Sequence, residues 1–263
     1  MTETYDFRGL AAKASDLLRG DPSAWPDGPV YRAVIERQGG PALDVGCGTG
    51  WRLLDLLAAR LDVDGVDSSP EMLAICRAKA KALGVDLRGR LHEQPIQRLS
   101  LPRRYATIFA PSPSFQRLTD PDDARAALRR FREHLAPTGV LVIAFDARPW
   151  PDQTPPPALA WSAWAVDAEE LRESDGATVR RWTRRRFDHD RRRVDEEYRH
   201  QVLIGGEVVQ SEFHGRAACW HTRDEAVALF EAAGFREIVV TAGDGFEPAA
   251  PGEARFKVSG TRP

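Results

Sequence analysis

The sequence predicts an α/β fold: one largely parallel sheet with helices on both faces, and an antiparallel sheet inserted late in the chain. Three observations carry this. Residues 42–50 read Ala-Leu-Asp-Val-Gly-Cys-Gly-Thr-Gly, a short apolar strand running into a glycine-rich turn, and Asp67 closes the next short apolar run. Strand and helix signals then alternate from residue 41 to residue 146. Beyond a proline cluster this rhythm gives way to segments of alternating polarity, with Gly205-Gly206 as a hairpin signal.

Residues 1–40 hold Tyr5, Phe7, Trp25 and Tyr31 among small and charged residues and read as one or two short helices with loops. Ala42–Val45 is the first strand. The helix from Trp51 to Arg60 aligns Leu53, Leu57 and Leu61, with Leu54 beside them. Asp62–Asp67 is the second strand. Ser69 and Pro70 supply the N-cap and first position of a helix that buries Met72, Ile75, Cys76 and Leu83 and stops at Gly84. Leu87–Leu91 and Tyr105–Ala110 follow as strands three and four. Asp120 and Pro121 open a helix with Ala124, Ala127, Leu128, Phe131 and Leu135 at helical spacing. Pro137-Thr138-Gly139 turns the chain into the apolar fifth strand Val140–Phe145, and such runs suit a parallel sheet buried on both faces. Pro149, Pro151, Pro155, Pro156 and Pro157 permit neither helix nor central strand and mark the exit from the core. Three inserted strands fall around 179–188, 193–204 and 207–217. Thr222 and Glu225 form a capping box, the helix behind them buries Ala226, Leu229, Phe230 and Ala233, and Gly234 ends it. Ile238–Ala242 and Phe256–Gly260 are the last strands. The expected organisation is one domain over 1–263, with an N-terminal segment at 1–40 and the inserted sheet within 148–220.

The chain has 263 residues and 42% hydrophobic content, enough for a substantial core, and its net charge of −2 argues against a broad basic surface for nucleic acid. Cys47, Cys76 and Cys219 are odd in number and dispersed, so no disulfide frame or metal cluster is legible, and no histidine pair has metal-ligand spacing on a helix. Cys47 reads as a small packing residue rather than a nucleophile. Met1–Phe7 is polar and acidic, and no apolar run reaches bilayer length, so the expected compartment is the cytoplasm. The densest charge feature, Arg180–Arg193, has eight arginines among fourteen residues. It could form a phosphate-binding ribbon. Asp188, Asp190, Asp195, Glu196 and Glu197 lie within or beside it, which favours a solvated face of opposite charges paired across strands.

Gly46 and Gly48 fit the dinucleotide fingerprint Gly-x-Gly-x-x-Gly, but Trp51 stands where its third glycine should permit close helix–strand packing. Gly50 falls one residue early instead. The resulting Gly-x-Gly-x-Gly resembles the first motif of class I S-adenosylmethionine-dependent methyltransferases. Val66-Asp67-Ser68-Ser69-Pro70-Glu71-Met72 resembles their second, and residues 99–102, 105–110 and 135–145 resemble their later regions. The layout is similar to that of the sugar N-methyltransferases, which carry a comparable insertion.

This resemblance implies a Rossmann-like seven-stranded sheet of order 3-2-1-4-5-7-6 with the last strand antiparallel. It implies S-adenosyl-L-methionine as cofactor and an amine or hydroxyl of a small molecule as acceptor. It also implies roles. Gly46, Cys47, Gly48 and Gly50 would lie under the methionine part, Asp44 would take the amino group and Asp67 the ribose hydroxyls. Ser68 and Met72 would flank the adenine, although Met72 suits the core equally. Gln94, followed by Pro95 and Ile96, stands at the adenine amino group. Residues 1–40 would fold over the cofactor as a lid and contribute Tyr5.

Methyl transfer from a sulfonium is an in-line substitution with a neutral thioether leaving, so no acid is required, and orientation alone can contribute on the order of 7–11 kcal/mol. No catalytic residue is therefore assignable from sequence. His200 and His214, on inserted strands, are the candidate bases; His92 lies near the expected adenine end, and His221 is the remaining histidine considered. Ser112, Ser114 and Gln116 follow strand four and either hydrogen-bond the acceptor or cap loop and helix. This segment lacks the Asn- or Asp-Pro-Pro-Tyr of enzymes that methylate nucleic-acid base amines or protein glutamine, which favours a small-molecule acceptor. The rivals are an RNA- or protein-directed methyltransferase docking through Arg180–Arg193, and a non-catalytic cofactor-binding protein. The inserted sheet also offers a surface through which two subunits could pair as a homodimer.

Overall fold

The computed structural model describes residues 7–20, 27–111, 114–147, 155–250 and 252–263. Tyr5, Trp25, Ser112, Pro149 and Pro151 lie outside the described residues. The helices are α1 (Gly9–Lys13), α2 (Ser15–Arg19), α3 (Gly28–Gln38), α4 (Trp51–Ala58), α5 (Pro70–Leu83), α6 (Pro121–His134) and α7 (Arg223–Ala232). The strands are β1 (Ala42–Val45), β2 (Val63–Asp67), β3 (Leu91–Glu93), β4 (Tyr105–Ala110), β5 (Leu135–Asp146), β6 (Ala165–Arg172), β7 (Ala177–Asp188), β8 (Arg193–Ile204), β9 (Glu207–Cys219), β10 (Arg236–Ala242) and β11 (Arg255–Thr261).

The main sheet has the order β3-β2-β1-β4-β5-β11-β10, with β11 antiparallel to both neighbours, as expected. Its central strands are buried on both faces, and alternate residues serve opposite layers. Leu43, Val45, Ile108, Leu141 and Ile143 pack with Phe131 of α6 and Phe230 of α7. Ala42, Phe109, Val140 and Val142 pack with Leu53 of α4, Leu73 of α5 and Tyr31 of α3. Parallel pairing sets Asp44 beside Gly65 and Val45 beside Val66, so the loop after β1 and the carboxylate ending β2 emerge together at one sheet edge.

The caps expected from sequence are present. The Ser69 side chain accepts from Met72 N, the Asp120 side chain accepts from Asp122 N, and Thr222 with Glu225 closes a capping box.

Four expectations need correction. Leu87–Leu91 is not the third strand, because β2 offers ladder partners only from Gly65 to Asp67 and pairing starts at Leu91. The fifth strand begins at Leu135: Tyr105 pairs with Leu135 and Thr107 with Val140, and Pro137-Thr138-Gly139 forms an irregularity within the strand rather than a turn before it. The inserted sheet has four strands, β6-β7-β8-β9, not three. The missed β6 is an edge strand exposed at most positions, so it carries no hydrophobic alternation. Finally, α3 is not part of a lid. It buries Val30, Tyr31, Val34 and Ile35 on one stripe, and Tyr31 stacks on Phe109 of β4 at 5.0 Å.

Among the described residues of 1–40, α1 and α2 are the helices that lie across the sheet edge. Five-residue helices are unstable alone, and these two are held from both sides. Leu10, Ala14 and Leu18 pack with Ala177, Val179 and Val202 of the inserted sheet. On the other side, Ser69 Oγ donates to Phe7 O (2.5 Å), Gly9 N donates to Glu71 Oε2 (2.7 Å), and Asp16 accepts from both Thr49 Oγ1 (2.5 Å) and Lys79 Nζ (2.7 Å).

Each of the eight arginines in 180–193 has a carboxylate partner. Three of these pairs follow the β7–β8 register, with Arg184 opposite Glu197, Arg185 opposite Glu196 and Arg186 opposite Asp195. Among the described residues, no helix is long and apolar enough to cross a membrane.

Candidate active site

The glycine loop is clamped onto β2: Gly46 N and Cys47 N both donate to Val66 O, at 2.8 and 3.1 Å. Gly46, Gly48 and Gly50 have φ of +72°, +55° and +77°. A Cβ at Gly46 would collide with the Ser114 hydroxyl, and one at Gly50 with the Cys76 sulfur, so two of these positions exclude a side chain by space as well as by conformation. Gly48 N and Ser69 N donate to the two oxygens of Asp67, at 2.9 and 2.8 Å. That carboxylate is thereby fixed in orientation at the sheet edge.

A cavity of about 1530 Å³ opens over this edge. It exceeds the ~300–1,000 Å³ usual for one small ligand, which leaves room for two. Gly46, Cys47, Gly48, Asp67, Ser68, Met72, Pro95, Ile96 and Ser114 line it. Asp44 and Gly50 are buried behind that lining. Asp44 is 1% exposed and neither of its oxygens has a hydrogen-bond partner among the described residues. Burial pushes its carboxyl up to about 7, against the opposing pull of Arg52. A buried carboxylate with no donor calls for a cationic or hydrogen-bonding group from outside the fold.

Two predicted residues are engaged elsewhere. Gln94 does not line the cavity, since Ser100 N donates to its Oε1 (2.7 Å) and its Nε2 donates to Ser100 O (3.0 Å), closing the loop after β3. Gln97, one 3-10 turn later, lines the cavity in its stead. Gln116 is buried: its Nε2 donates to Asp146 O and Cys219 O, both at 2.9 Å, and its Oε1 accepts from Asp146 N at 2.8 Å. It clasps the end of β5 to the last strand of the insert and has no amide hydrogen left for an acceptor.

The inserted sheet roofs the cavity. Tyr198, His214 and His200 form a stack with centroid separations of 5.2 and 4.9 Å, and all three line the cavity. Burial lowers His200 to about 3 and His214 to about 4, so both rings are neutral at pH 7. Neighbouring Glu196 is 7% exposed and receives Arg117 Nη1 (3.0 Å), Arg185 Nε (3.0 Å) and Arg216 Nε (2.6 Å). Burial alone would raise its carboxyl, but Arg216, Arg117 and Arg185 together hold it well below the usual carboxylate range. Of these four, Arg117, Glu196 and Arg216 line the cavity. His92 and His221 do not line the cavity.

Sequence reasoning missed Trp51, Arg52, Arg117, Glu196, Tyr198 and Arg216. One signal was available. Val194, Glu196, Tyr198, His200 and Val202 alternate along β8, so a glutamate stands on the buried side of an alternating strand. The arginines give no such signal, because long polar side chains suit either face.

A family model described as a methyltransferase domain matches residues 42–139. The amino pentose methyltransferase of Micromonospora echinaspora, solved with S-adenosylmethionine bound, superposes with a TM-score of 0.67 at 25% identity, over 98% of this chain and 99% of that one. The core is a class I S-adenosylmethionine-dependent methyltransferase domain. Among curated relatives of this methyltransferase, a dTDP-3-amino-3,6-dideoxy-alpha-D-glucopyranose N,N-dimethyltransferase of Streptomyces fradiae is 28% identical over 87% of this chain and 85% of that one. A glycine/sarcosine N-methyltransferase of Halorhodospira halochloris is 32% identical over 54% of this chain and 53% of that one. The buried, donorless Asp44 and the oriented carboxylate of Asp67 suit such a cofactor, which carries an ammonium and two adjacent hydroxyls.

Proposed function

We propose that this methyltransferase acts on the amine of a sugar carried on a nucleoside diphosphate. The observation that carries the reading is the roof: Arg117 and Arg216, which line the cavity around Glu196, offer guanidinium groups to an anionic acceptor beside a neutral Tyr198–His214–His200 stack. The Streptomyces fradiae relative, named for a dTDP-linked amino sugar, supports the same class.

When bound, the cofactor supplies a methyl group on a sulfonium that departs as a neutral thioether. Asp67, held by Gly48 N and Ser69 N, accepts from the ribose hydroxyls. Asp44 compensates the ammonium of the methionine part. The glycine loop brings backbone close to that part without side chains intervening. Met72, Pro95, Ile96 and Gln97 enclose the adenine. Ser114 stands between loop and acceptor. The protein's contribution to rate is orientation in a closed site.

His200 and His214 are too weakly basic to take a proton from an ammonium at neutral pH; they accept a hydrogen bond from the amine instead. With cofactor saturating, kcat should rise with pH toward the acceptor's own amine pKa, with no inflection from either histidine between pH 5 and 8. An inflection in that range that vanishes in His214→Asn would assign a base and refute this role.

The acceptor class is tested by S-adenosylhomocysteine production with nucleotide-linked amino sugars, free amino sugars and glycine. Turnover of glycine alone would overturn the sugar reading. Asp67→Ala should weaken S-adenosylhomocysteine binding about tenfold or more by calorimetry, because two charge-assisted bonds are lost. Unchanged affinity would remove Asp67 from the ribose site.

A further inference from the structure

The first turn of α1 is held from both sides by carboxylates. On the core side, Gly9 N donates to Glu71 Oε2 at 2.7 Å. On the other side, Leu10 N donates to Glu212 Oε2 at 2.6 Å. Glu212 stands on β9 of the inserted sheet, paired across the ladder with His200 and two residues before His214. Its second oxygen accepts from Gln210 Nε2 at 2.8 Å, which fixes the carboxylate against the helix. The approach is close, since a Cβ on Gly9 would lie 2.3 Å from Glu212 Oε2.

These contacts join two walls of one cavity. Ala11 of α1 and Ser15 and Leu18 of α2 line it on the side of the glycine loop, to which Asp16 is tied through Thr49. His200, His214 and Arg216 line it from the roof. Helices of five residues do not persist without outside contacts. The packing of Leu10, Ala14 and Leu18 against β7 and β8 supplies attraction, but apolar contact is non-directional. A charge-assisted hydrogen bond fixes distance and orientation, and an amide that loses its acceptor there carries a penalty. Glu212 therefore sets where α1 sits, and does so from the strand that carries His214 into the roof.

We propose that Glu212 is a positioning residue that latches α1 to the inserted sheet, so that the two short helices and the roof close over the bound cofactor as one unit. This rests on the S-adenosylmethionine site described above. Glu212 does not itself line the cavity and acts through α1. Release of the demethylated cofactor then requires Leu10 N to leave Glu212, which makes the latch a determinant of product release.

The test uses the full chain with S-adenosylhomocysteine as probe, read by amide hydrogen exchange and by stopped-flow dissociation. In the wild type, the probe should slow exchange over residues 7–20. Glu212→Ala should speed exchange there about tenfold in the complex, leave exchange in β7 and β8 unchanged, and raise the dissociation rate of the probe about tenfold. Glu212→Gln keeps an oxygen for Leu10 N without the charge and should fall between. Glu207→Ala, on the same strand and exposed, should change neither readout. Faster exchange in β7 and β8 as well would show that Glu212 supports the inserted sheet rather than the helices, and would overturn the proposal. An unchanged dissociation rate would overturn it too, as would a bound probe that leaves residues 7–20 unprotected. If the wild-type chain does not bind the probe, the cofactor reading itself fails, a result distinct from a failed latch in a chain that binds.

Discussion

Asp44→Asn should stabilise the cofactor-free protein at pH 8 while removing most of its affinity for S-adenosylhomocysteine. The carboxyl of Asp44 sits near 7 in the folded chain against 3.8 for the free side chain, because burial disfavours its charged form. The folded state therefore holds a proton that the unfolded state has released between these values. Asp44's contribution to stability is fully present below pH 4 and is lost as pH rises through about 7. A displacement of about three units corresponds to roughly 4 kcal/mol. Asparagine never ionises, so the advantage of the variant should be large in urea denaturation at pH 8 and shrink steadily toward pH 5. An ammonium brought against Asp44 restores the charged form. Cofactor binding near pH 7 should then release part of a proton, visible as a heat that depends on buffer ionisation enthalpy. A variant no more stable than wild type at pH 8 would mean that the carboxylate has a partner in the free protein.

Glu196→Gln should destabilise the fold by about 3–5 kcal/mol, the usual cost of breaking a buried ion pair from one side. Arg117, Arg185 and Arg216 converge on this buried carboxylate, and the substitution leaves their charges facing one another without its compensation. Glu197→Gln, one residue on and facing Arg184 at the surface, should cost under about 1 kcal/mol. The contrast separates the cluster from general loss of charge. The pH dependence has the opposite sign to that of Asp44. Glu196 is held below the ordinary range, so its contribution is present above about 4.5 and is lost as pH falls through its folded value. The gap between wild type and variant should therefore narrow in acid. Equal midpoints for Glu196→Gln and Glu197→Gln at pH 7 would remove the cluster from the stability of the insert.

Gln94 and Gln116 are drawn away from the ligand for a shared reason. A carboxamide both donates and accepts, so it satisfies backbone as readily as ligand, and its partner depends on which backbone groups the fold strands nearby. Ser100 stands opposite Gln94, and the ends of β5 and β9 converge on Gln116. Neither neighbour is close in sequence to the residue it engages in a way that periodicity could reveal. The missed edge strand β6 has a related origin, since a strand with little to bury leaves no pattern to read.

What the amino-acid sequence determined alone was local: the glycine turn, the carboxylate ending the second strand, the caps at Ser69, Asp120 and Thr222, and the apolar strands that must be covered on both faces. Those features depend on contacts a few residues apart and on side-chain size, which spacing records directly. Only tertiary structure decided that Arg19 and Arg52 meet at the Trp51 ring, and that three arginines from a 3-10 turn and two inserted strands share Glu196. Charge is felt through space rather than along the chain, so groups separated by as much as a hundred residues become one site only after the sheet, the short helices and the insert have packed.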